Sequence, residues 1–324
     1  MNTKNESRFF ALSYHYIRPA KEIDRFPRIL GNRINDFVDQ IKTLGQHYHF
    51  VSPEEILQFY RNGKELNTKG KIGLLLTFDD GLSEHHNVAR ILNDLGIKAF
   101  FFIPTCIVKD GLPANPNIIH YCLAEYGVGT FLNSFKKAAT VLGVQVSIPE
   151  YSHGNDPWKT IAEIKRTVKY NLNSTDSRNI LLHIYKNLFY RNHPDALEII
   201  HLTKKQIREI IAMDHSIGSH SHSHPSIAST NLSDAEIEKE LVSPKLILEK
   251  NFGTEVSAFS YPFGELADCL ATRDLLSLTK VYDLAFTIEE KINTPSTSPL
   301  ELGRYMPTSK DDSSSILQKL ILMS

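Results

Sequence analysis

The chain has little of what marks several large classes of protein. Its 324 residues include three cysteines and one tryptophan, and its 36 lysines and arginines nearly balance its 37 acidic residues. Nowhere do about 18 uncharged apolar residues run together, which is the length that a membrane-spanning helix needs. The formal net charge of −1 offers no electrostatic basis for binding nucleic acid or an anionic membrane. We therefore expect neither a membrane span nor a nucleic-acid partner.

The cysteines and the N-terminal residues indicate the cellular compartment of the protein. Cys106, Cys122 and Cys269 are odd in number, lie far apart and form no Cys-x-x-Cys pair. Free thiols in a reducing compartment are the simplest account. Residues 1–8 lack the apolar stretch of a secretion signal. From these features we expect a cytoplasmic protein.

Short apolar runs alternate with amphipathic stretches, which predicts one enlarged α/β domain with a parallel sheet. Strands are expected at residues 9–14, 72–78, 99–103, 216–219, 258–261 and 284–287. Helices are expected at residues 32–44, 53–62, 85–95, 233–251 and 268–280. Ser52 is a predicted helix cap, because proline and two acidic residues follow it, and Ser233 is another, because glutamate stands three residues later. The charged run 236–240 is interpreted as a solvated helix face.

Two adjacent carboxylates, Asp79 and Asp80, follow the predicted strand 72–78. An ionised carboxylate in a low-dielectric place is costly unless a cation or several hydrogen bonds compensate it. The pair therefore indicates metal binding or acid–base chemistry. Neighbouring side chains on a strand point to opposite faces, and Gly81 provides the break that lets both serve one site. An ordinary Asp-Gly turn is the alternative.

Three of the 14 histidines, His220, His222 and His224, fall within five positions. His220 and His224 are four residues apart, so a helical or tightly turning backbone would place both rings on one side, close enough to share a metal ion. On that geometry His222 points elsewhere. A solvated polar loop is the alternative.

Together these motifs resemble those of the polysaccharide deacetylase superfamily, also called carbohydrate esterase family 4 or the NodB-homology superfamily. The resemblance rests on Thr-Phe-Asp-Asp-Gly at 77–81, His-Ser-x-x-His at 220–224 and Phe-Ser-Tyr-Pro-Phe-Gly at 259–264. It covers roughly residues 74–104 and 210–287. It implies a hydrolase acting on carbon–nitrogen bonds other than peptide bonds. It also implies a distorted (β/α) barrel of about seven strands, with the motifs on its catalytic rim.

The resemblance also implies roles for individual residues. Asp80, His220 and His224 would hold a divalent metal and leave positions open, as in a catalytic zinc site. We expect Zn²⁺, although Co²⁺, Ni²⁺, Fe²⁺ or Mn²⁺ also suit these ligands. Asp79 would be the general base, and the backbone N–H of Phe263 would help to stabilise the oxyanion.

Two departures from the family pattern bear on activity. Ser260 stands where relatives usually have an arginine that orients the catalytic aspartate, and no histidine follows His224 to protonate the leaving amine. Circularly permuted relatives, the poly-N-acetylglucosamine deacetylases, also lack that arginine and carry the histidine near the N-terminus after a tyrosine. Tyr14-His15 matches this context, so we assign His15 as general acid; a buried ring hydrogen-bonded in a sheet is the alternative. Arg304 is a candidate substitute for the arginine, with a surface ion pair as the alternative.

Residues 105–200 interrupt the alternating pattern. Helices are expected at 117–126, 130–142, 158–170 and 177–189, with no strong strand. We interpret this stretch as a mainly helical insertion on the catalytic rim of a barrel formed by residues 1–104 and 201–324. It either packs structurally or acts as a lid or wall that narrows substrate choice. Trp158, within it, is a candidate for stacking on a sugar ring or for a core or hinge position.

These features lead us to expect a metal-dependent N-deacetylase that hydrolyses the N-acyl amide of an amino sugar in surface-polysaccharide or glycan-precursor biosynthesis. A cytoplasmic enzyme would meet a precursor such as a nucleotide-linked or lipid-linked amino sugar. Two alternatives stay open. One is an N-deformylase of an amino sugar, and the other is an inactive carbohydrate-binding relative that retains the metal.

Overall fold

The computed structural model describes residues 7–148, 150–151, 156–227 and 232–323. Its strands are β1 (Phe9–Tyr14), β2 (Ile17–Arg18), β3 (Asn32–Arg33), β4 (His49–Phe50), β5 (Gly73–Phe78), β6 (Ala99–Ile103), β7 (Ser216–Ser219), β8 (Ala258–Ser260) and β9 (Leu284–Phe286). Its helices are α1 (Ile34–His47), α2 (Pro53–Asn62), α3 (His85–Asp94), α4 (Cys106–Lys109), α5 (Asn115–Leu142), α6 (Pro157–Arg166), α7 (Ser174–Ile184), α8 (Ala196–Ile200), α9 (Lys204–Ala212), α10 (Asp234–Ile237), α11 (Ser243–Phe252), α12 (Leu266–Thr279) and α13 (Ser313–Leu322).

Seven strands form one parallel sheet in the order β1-β5-β6-β7-β8-β9, with β4 also paired to β5. A late segment closes the seam between the two ends of this sheet. Leu302 forms a parallel bridge to Phe286 of β9, and Tyr305 forms one to Leu12 of β1. The result is the distorted (β/α) barrel that the resemblance implied.

The strand sequences explain why the sheet is covered on both faces. Alternate residues of a strand point to opposite sides. In β1, Leu12 and Tyr14 pack with the helices in the largest core cluster. Phe9 and Ala11 pack instead with Phe100 and other residues of the neighbouring strands. Both faces are therefore apolar, as in parallel sheets generally.

The predicted helix caps are present. The Ser52 hydroxyl accepts from the Glu55 backbone N–H, and the Glu55 carboxylate accepts from the Ser52 N–H, while proline opens α2. Ser233 and Glu236 form the same reciprocal pair at the start of α10. The single helix predicted there consists of α10 and α11, joined by a π-helical stretch over residues 238–242.

Residues 105–200 are mainly helical. The two helices predicted at 117–126 and 130–142 are the two halves of α5, which breaks at Gly127 with φ 77°. A second hydrophobic cluster draws most of its members from α5, α7 and the π-helical stretch after α7, and it also includes Tyr16 and Leu82. These two residues follow β1 and β5, so the helices pack on loops at the carboxyl ends of those strands.

The structure also describes the cysteines and the apolar character of the helices. Cys106, Cys122 and Cys269 are buried free thiols. Of the helices in the described part of the chain, none combines the length and apolar character needed to cross a membrane.

Candidate active site and metal centre

Asp79 lies one residue beyond the end of β5, and its carboxylate is buried. The Arg304 guanidinium donates to both carboxylate oxygens, with both N–O distances at 2.9 Å. The hydroxyls of Ser260 and Ser13 donate to Oδ2 at 3.1 and 3.3 Å. Dense hydrogen bonding and a cation thus compensate the buried charge.

Arg304 is itself fully buried. Its Nε donates to the Thr287 carbonyl at 2.9 Å and its Nη1 to the Thr77 hydroxyl at 3.0 Å. Burial works against ionisation of Asp79, but the Arg304 charge, aided by His220 and His15, holds the pKa of that carboxyl well below its usual range. Arg304 is therefore a buried partner of Asp79, not a member of a surface ion pair.

The backbone turns sharply at Asp80 and Gly81, whose φ angles are 72° and 55°. His201 holds this turn, because its Nδ1 lies 3.1 Å from the Asp80 carbonyl oxygen and 3.3 Å from that of Gly81. Its Nε2 accepts from the Ala114 N–H at 3.2 Å, so Nδ1 carries the proton. Burial lowers the pKa of His201 to about 4, which agrees with a neutral ring. The turn brings both carboxylates to one site.

The structure brings Asp80, His220 and His224 together. Oδ1 of Asp80 lies 3.4 Å from His220 Nε2 and 3.7 Å from His224 Nε2. Each of the three buried side chains offers one ligand atom, and these atoms lie within 4.8 Å of one another. Nδ1 of His220 donates to the Ser260 carbonyl at 2.8 Å. That bond leaves the lone pair of Nε2 facing Asp80, and metal-binding histidines usually donate from their other ring nitrogen to a carbonyl or carboxylate in this way.

Two atoms of this cluster test whether a metal fits. Asp80 Oδ1 and His220 Nε2 are buried, and neither has a hydrogen-bond partner in the described part of the chain. Unpartnered buried acceptors are costly and rare in folded proteins. A divalent cation between them would satisfy both, and one carboxylate with two imidazoles is a donor set that such cations favour. The residues present therefore fit a metal ion.

His222 points away from this cluster, as expected from its spacing. Its Nε2 lies 2.9 Å from Asp110 Oδ2, and its Nδ1 lies 2.9 Å from the Thr105 hydroxyl. The backbone N–H groups of His222 and Ser223 both donate to Glu240, at 3.0 and 2.8 Å. Glu240 is buried. The interpretation of 236–240 as a solvated face is thus wrong for Glu240, which anchors the histidine loop.

Helix α5 reaches the candidate metal centre through Asn117. Its Nδ2 donates to Asp80 Oδ2 at 3.2 Å and to the Tyr16 hydroxyl at 2.9 Å. The Tyr16 hydroxyl in turn lies 3.1 Å from His120 Nδ1. Sequence reasoning did not find Asn117, because a single polar residue within a helix carries no local signal of its burial.

A cavity of about 680 Å³ is lined by all six predicted site residues, Asp79, Asp80, His15, His220, His224 and Phe263. Nδ1 of His15 is buried and has no partner within the described residues. Phe263 has φ 65°, and its ring centroid lies 4.8 Å from that of His224. The structure therefore brings the six residues together, while their individual roles remain predictions.

Residues 105–200 supply another wall of this cavity, with Ile119 and His120 from α5, and Lys165, Arg166 and Lys169 from α6 and the π-helical stretch after it. Lys169 Nζ lies 2.6 Å from Asp268 Oδ2 and 4.2 Å from the Phe263 ring centroid. Trp158 does not line the cavity, and it is 60% exposed. The core position considered for it is therefore wrong.

The chain is similar to known proteins in both sequence and fold. The sequence profile of polysaccharide deacetylases matches residues 66–281, about two thirds of the chain. The fold and this match define a hydrolase acting on carbon–nitrogen bonds other than peptide bonds. More specifically, the chain belongs to the polysaccharide deacetylase family. Among curated proteins, none matches the chain significantly.

Several solved structures share the fold at low sequence identity. The deacetylase PplD of Streptococcus pyogenes, in complex with acetate, has a TM-score of 0.57 and 18% identity, covering 99% of this chain and 100% of that one. IcaB from Ammonifex degensii has a TM-score of 0.56 and 17% identity, covering 97% of both chains. A de-N-acetylase from Aggregatibacter actinomycetemcomitans has a TM-score of 0.55 and 15% identity, covering 97% of this chain and 100% of that one.

Proposed function

We propose that the protein is a metal-dependent N-deacetylase that hydrolyses the N-acyl amide of an amino sugar in surface-polysaccharide or glycan-precursor biosynthesis. The observation that carries the proposal is the buried cluster of Asp80, His220 and His224, with two unpartnered ligand atoms, beside the ion-paired Asp79. Family membership supports amide hydrolysis. Acetate bound to the S. pyogenes deacetylase supports acetyl as the acyl group, because acetate is the acid that deacetylation releases.

Different residues of the cavity carry out different steps of the proposed hydrolysis. Asp80, His220 and His224 would hold the metal, which when bound polarises the acyl carbonyl and lowers the pKa of a water molecule. Asp79, kept ionised by Arg304, accepts a proton from the water that attacks the acyl carbon.

Two further groups act on the atoms that gain charge or leave. The Phe263 N–H donates to the oxygen that becomes negative as the tetrahedral centre forms. When the carbon–nitrogen bond breaks, the His15 ring donates a proton to the amine. Both residues line the same cavity as Asp79.

The position of Arg304 favours an active enzyme over an inactive binding protein. The family's usual arginine is replaced by Ser260, but the guanidinium of Arg304 reaches the same aspartate from the end of the chain. Ser260 remains useful, since its hydroxyl donates to Asp79. The orientation of the proposed base is therefore maintained by different residues.

The proposal is tested by metal analysis and product release on purified protein. We expect elemental analysis to find about one divalent ion per chain, Zn²⁺ or a metal with similar ligand preference. Acetate release from N-acetylglucosamine oligosaccharides should stop after chelation and return on adding Zn²⁺. Asp80→Asn should lose both metal and activity. A variant that kept the metal and full activity would contradict the ligand assignment, and a metal-loaded protein that released neither acetate nor formate would contradict the function.

The compartment remains a prediction. If the protein acts in the cytoplasm, its substrate is a glycan precursor, because finished surface polymers lie outside the cell. Cell fractionation with an antibody to the chain would test this point directly.

A further inference from the structure

We propose that the cavity takes a substrate that carries an anionic group beside its acylated sugar, and that Lys165 and Arg166 bind that group. This inference rests on the proposed deacetylase function and adds the class of its substrate. The anion would be a phosphoryl group or a carboxylate, because an ammonium and a guanidinium together suit the oxygens of both.

The two cations share the cavity with the candidate metal ligands. Lys165 and Arg166 are the last two residues of α6, and both line the cavity. Burial lowers the pKa of His120 to about 3, and the charge of Lys165 acts in the same direction. The His120 ring forms a hydrogen bond with the Tyr16 hydroxyl. Asn117 donates hydrogen bonds both to that hydroxyl and to Asp80. Lys165 thus lines the same cavity as His120 and the candidate metal ligands, where the amide would react.

The other charged residues of the cavity already have partners. Asp79 is paired with Arg304, and Asp80 faces the two histidines. Glu265 lies 3.6 Å from Lys169, whose ammonium is also 2.6 Å from Asp268.

Lys165 and Arg166 differ from these residues. Over the described ranges of the chain, no carboxylate oxygen lies within the 4.0 Å ion-pair distance of either side chain. The cavity thus presents two positive charges that no acidic side chain of this region neutralises.

The surroundings of Lys165 strengthen this point. Lys165 is an exposed residue of the cavity lining, and the protein around it lowers its pKa without any acidic group opposing that effect. A cation without an acidic partner is available to an anion that enters the cavity, and that anion would favour its charged form. Cations are also common at helix ends, where they face free carbonyls. That explanation does not suffice here, because the chain continues from Arg166 into a π-helical stretch that ends at Asn171.

The test measures binding separately from turnover. Zinc-loaded protein is titrated calorimetrically with three probes, which are N-acetylglucosamine, N-acetylglucosamine 1-phosphate and N-acetylmuramic acid. The first is neutral, the second carries a phosphoryl group and the third a carboxylate. We expect at least one anionic probe to bind about tenfold or more tightly than the neutral one, with the difference shrinking as salt is added. The preferred probe identifies the source of the anion.

Variants show whether the two cations cause the preference. The double variant Lys165→Met/Arg166→Met should bring the affinity ratio of anionic to neutral probe close to one. Lys159→Met is the matched control, because Lys159 is an exposed residue of α6 that does not line the cavity. Anions can also bind a metal directly, so a preference that persists in the double variant would overturn the inference. Equal binding of all three probes by the wild-type protein would overturn it as well.

The two proposals fail in different ways. If an anionic probe binds selectively but no N-acyl sugar is hydrolysed, the binding inference stands and the proposed function fails. If a neutral oligosaccharide is hydrolysed and no probe is preferred, the proposed function stands and the anion inference fails.

Discussion

The cavity has two walls of different origin, and they differ in how their residues are held. On the barrel side, the side chain of Asp79 and the ring of His220 are fixed by buried hydrogen bonds at the carboxyl ends of strands. On the side of residues 105–200, Lys165 and Arg166 extend from α6 without a carboxylate partner in the described part of the chain. Catalytic side chains need fixed positions, which the buried hydrogen bonds provide. Charged residues without a partner in the protein can instead select a substrate by binding its charged group.

Asn117 is the exception that connects the two walls. It belongs to α5, yet it donates to the carboxylate of Asp80. If the comparison holds, substitutions on the barrel wall should reduce turnover or stability strongly, and Asn117 should act through the metal. Changes to the exposed residues of 105–200 that line the cavity should have small effects on stability or alter only the choice of substrate.

The largest effect is expected for Arg304→Met on the barrel wall. The substitution leaves the Asp79 carboxylate buried without its cation, which should lower the free energy of unfolding by about 3–5 kcal/mol. It should also lower kcat by about 10²-fold or more, because the base loses its orientation. Chemical denaturation and acetate release measure the two effects.

Two comparison variants make the result for Arg304 interpretable. Arg25→Met removes an exposed pair with Asp195 at 3.3 Å and should change stability by less than about 1 kcal/mol. Arg304→Lys keeps the charge but not the two parallel hydrogen bonds to Asp79. Its activity should therefore lie between that of the wild-type protein and that of Arg304→Met. If Arg304→Met were as stable and active as Arg25→Met, the buried pair would have no role in orienting Asp79.

His15→Ala tests the proposed general acid on the barrel wall. We expect kcat to fall by roughly 10²-fold while the metal content is unchanged, because the ring donates a proton and does not ligate the metal. His47→Ala, at an exposed position of α1, is the control. An unchanged rate would remove His15 from the mechanism, and loss of metal would make it a ligand.

The strands at the core of the barrel were predictable because their signal is local. Apolar runs bounded by turn residues gave the bounds of β1, β6 and β7 as the structure has them, and β5, β8 and β9 within one residue. The short elements β2, β3, β4, α4 and α8 were not predicted, and neither were the bounds of α9 or the terminal helix α13. A strand of two residues or a helix of five has no periodicity to detect.

The contacts that build the site were less predictable, because they join distant parts of the chain. Asn117 and His201 contact Asp80 from positions 37 and 121 residues away along the chain. Arg304 contacts Asp79 from 225 residues away. Arg304 became a candidate only because the resemblance showed that an arginine was missing. The burial of Glu240 was missed for the same reason, because it depends on contact with the histidine loop at residues 222–223.

Asn117→Ala tests the point where the two walls meet. Removing a hydrogen bond to a metal-binding carboxylate typically weakens metal affinity by about 10–100-fold, and we expect a loss in that range. Competition with a chelator of known affinity measures it without relying on activity. Asn133→Ala, at an exposed position of the same helix, should leave affinity unchanged. Equal affinities in the two variants would show that α5 packs beside the site without positioning Asp80.

The smallest effect is expected for Trp158→Ala. Because Trp158 is 60% exposed and does not line the cavity, kcat/KM for a short N-acetylglucosamine oligosaccharide should change by less than about twofold. A matched change inside the cavity, Ile119→Ala, should have the larger effect on KM. A tenfold loss in Trp158→Ala would mean that the substrate continues beyond the cavity along α6. The helical wall would then bind a longer chain as well as an anion, and comparing oligosaccharides of increasing length would show where that contact begins.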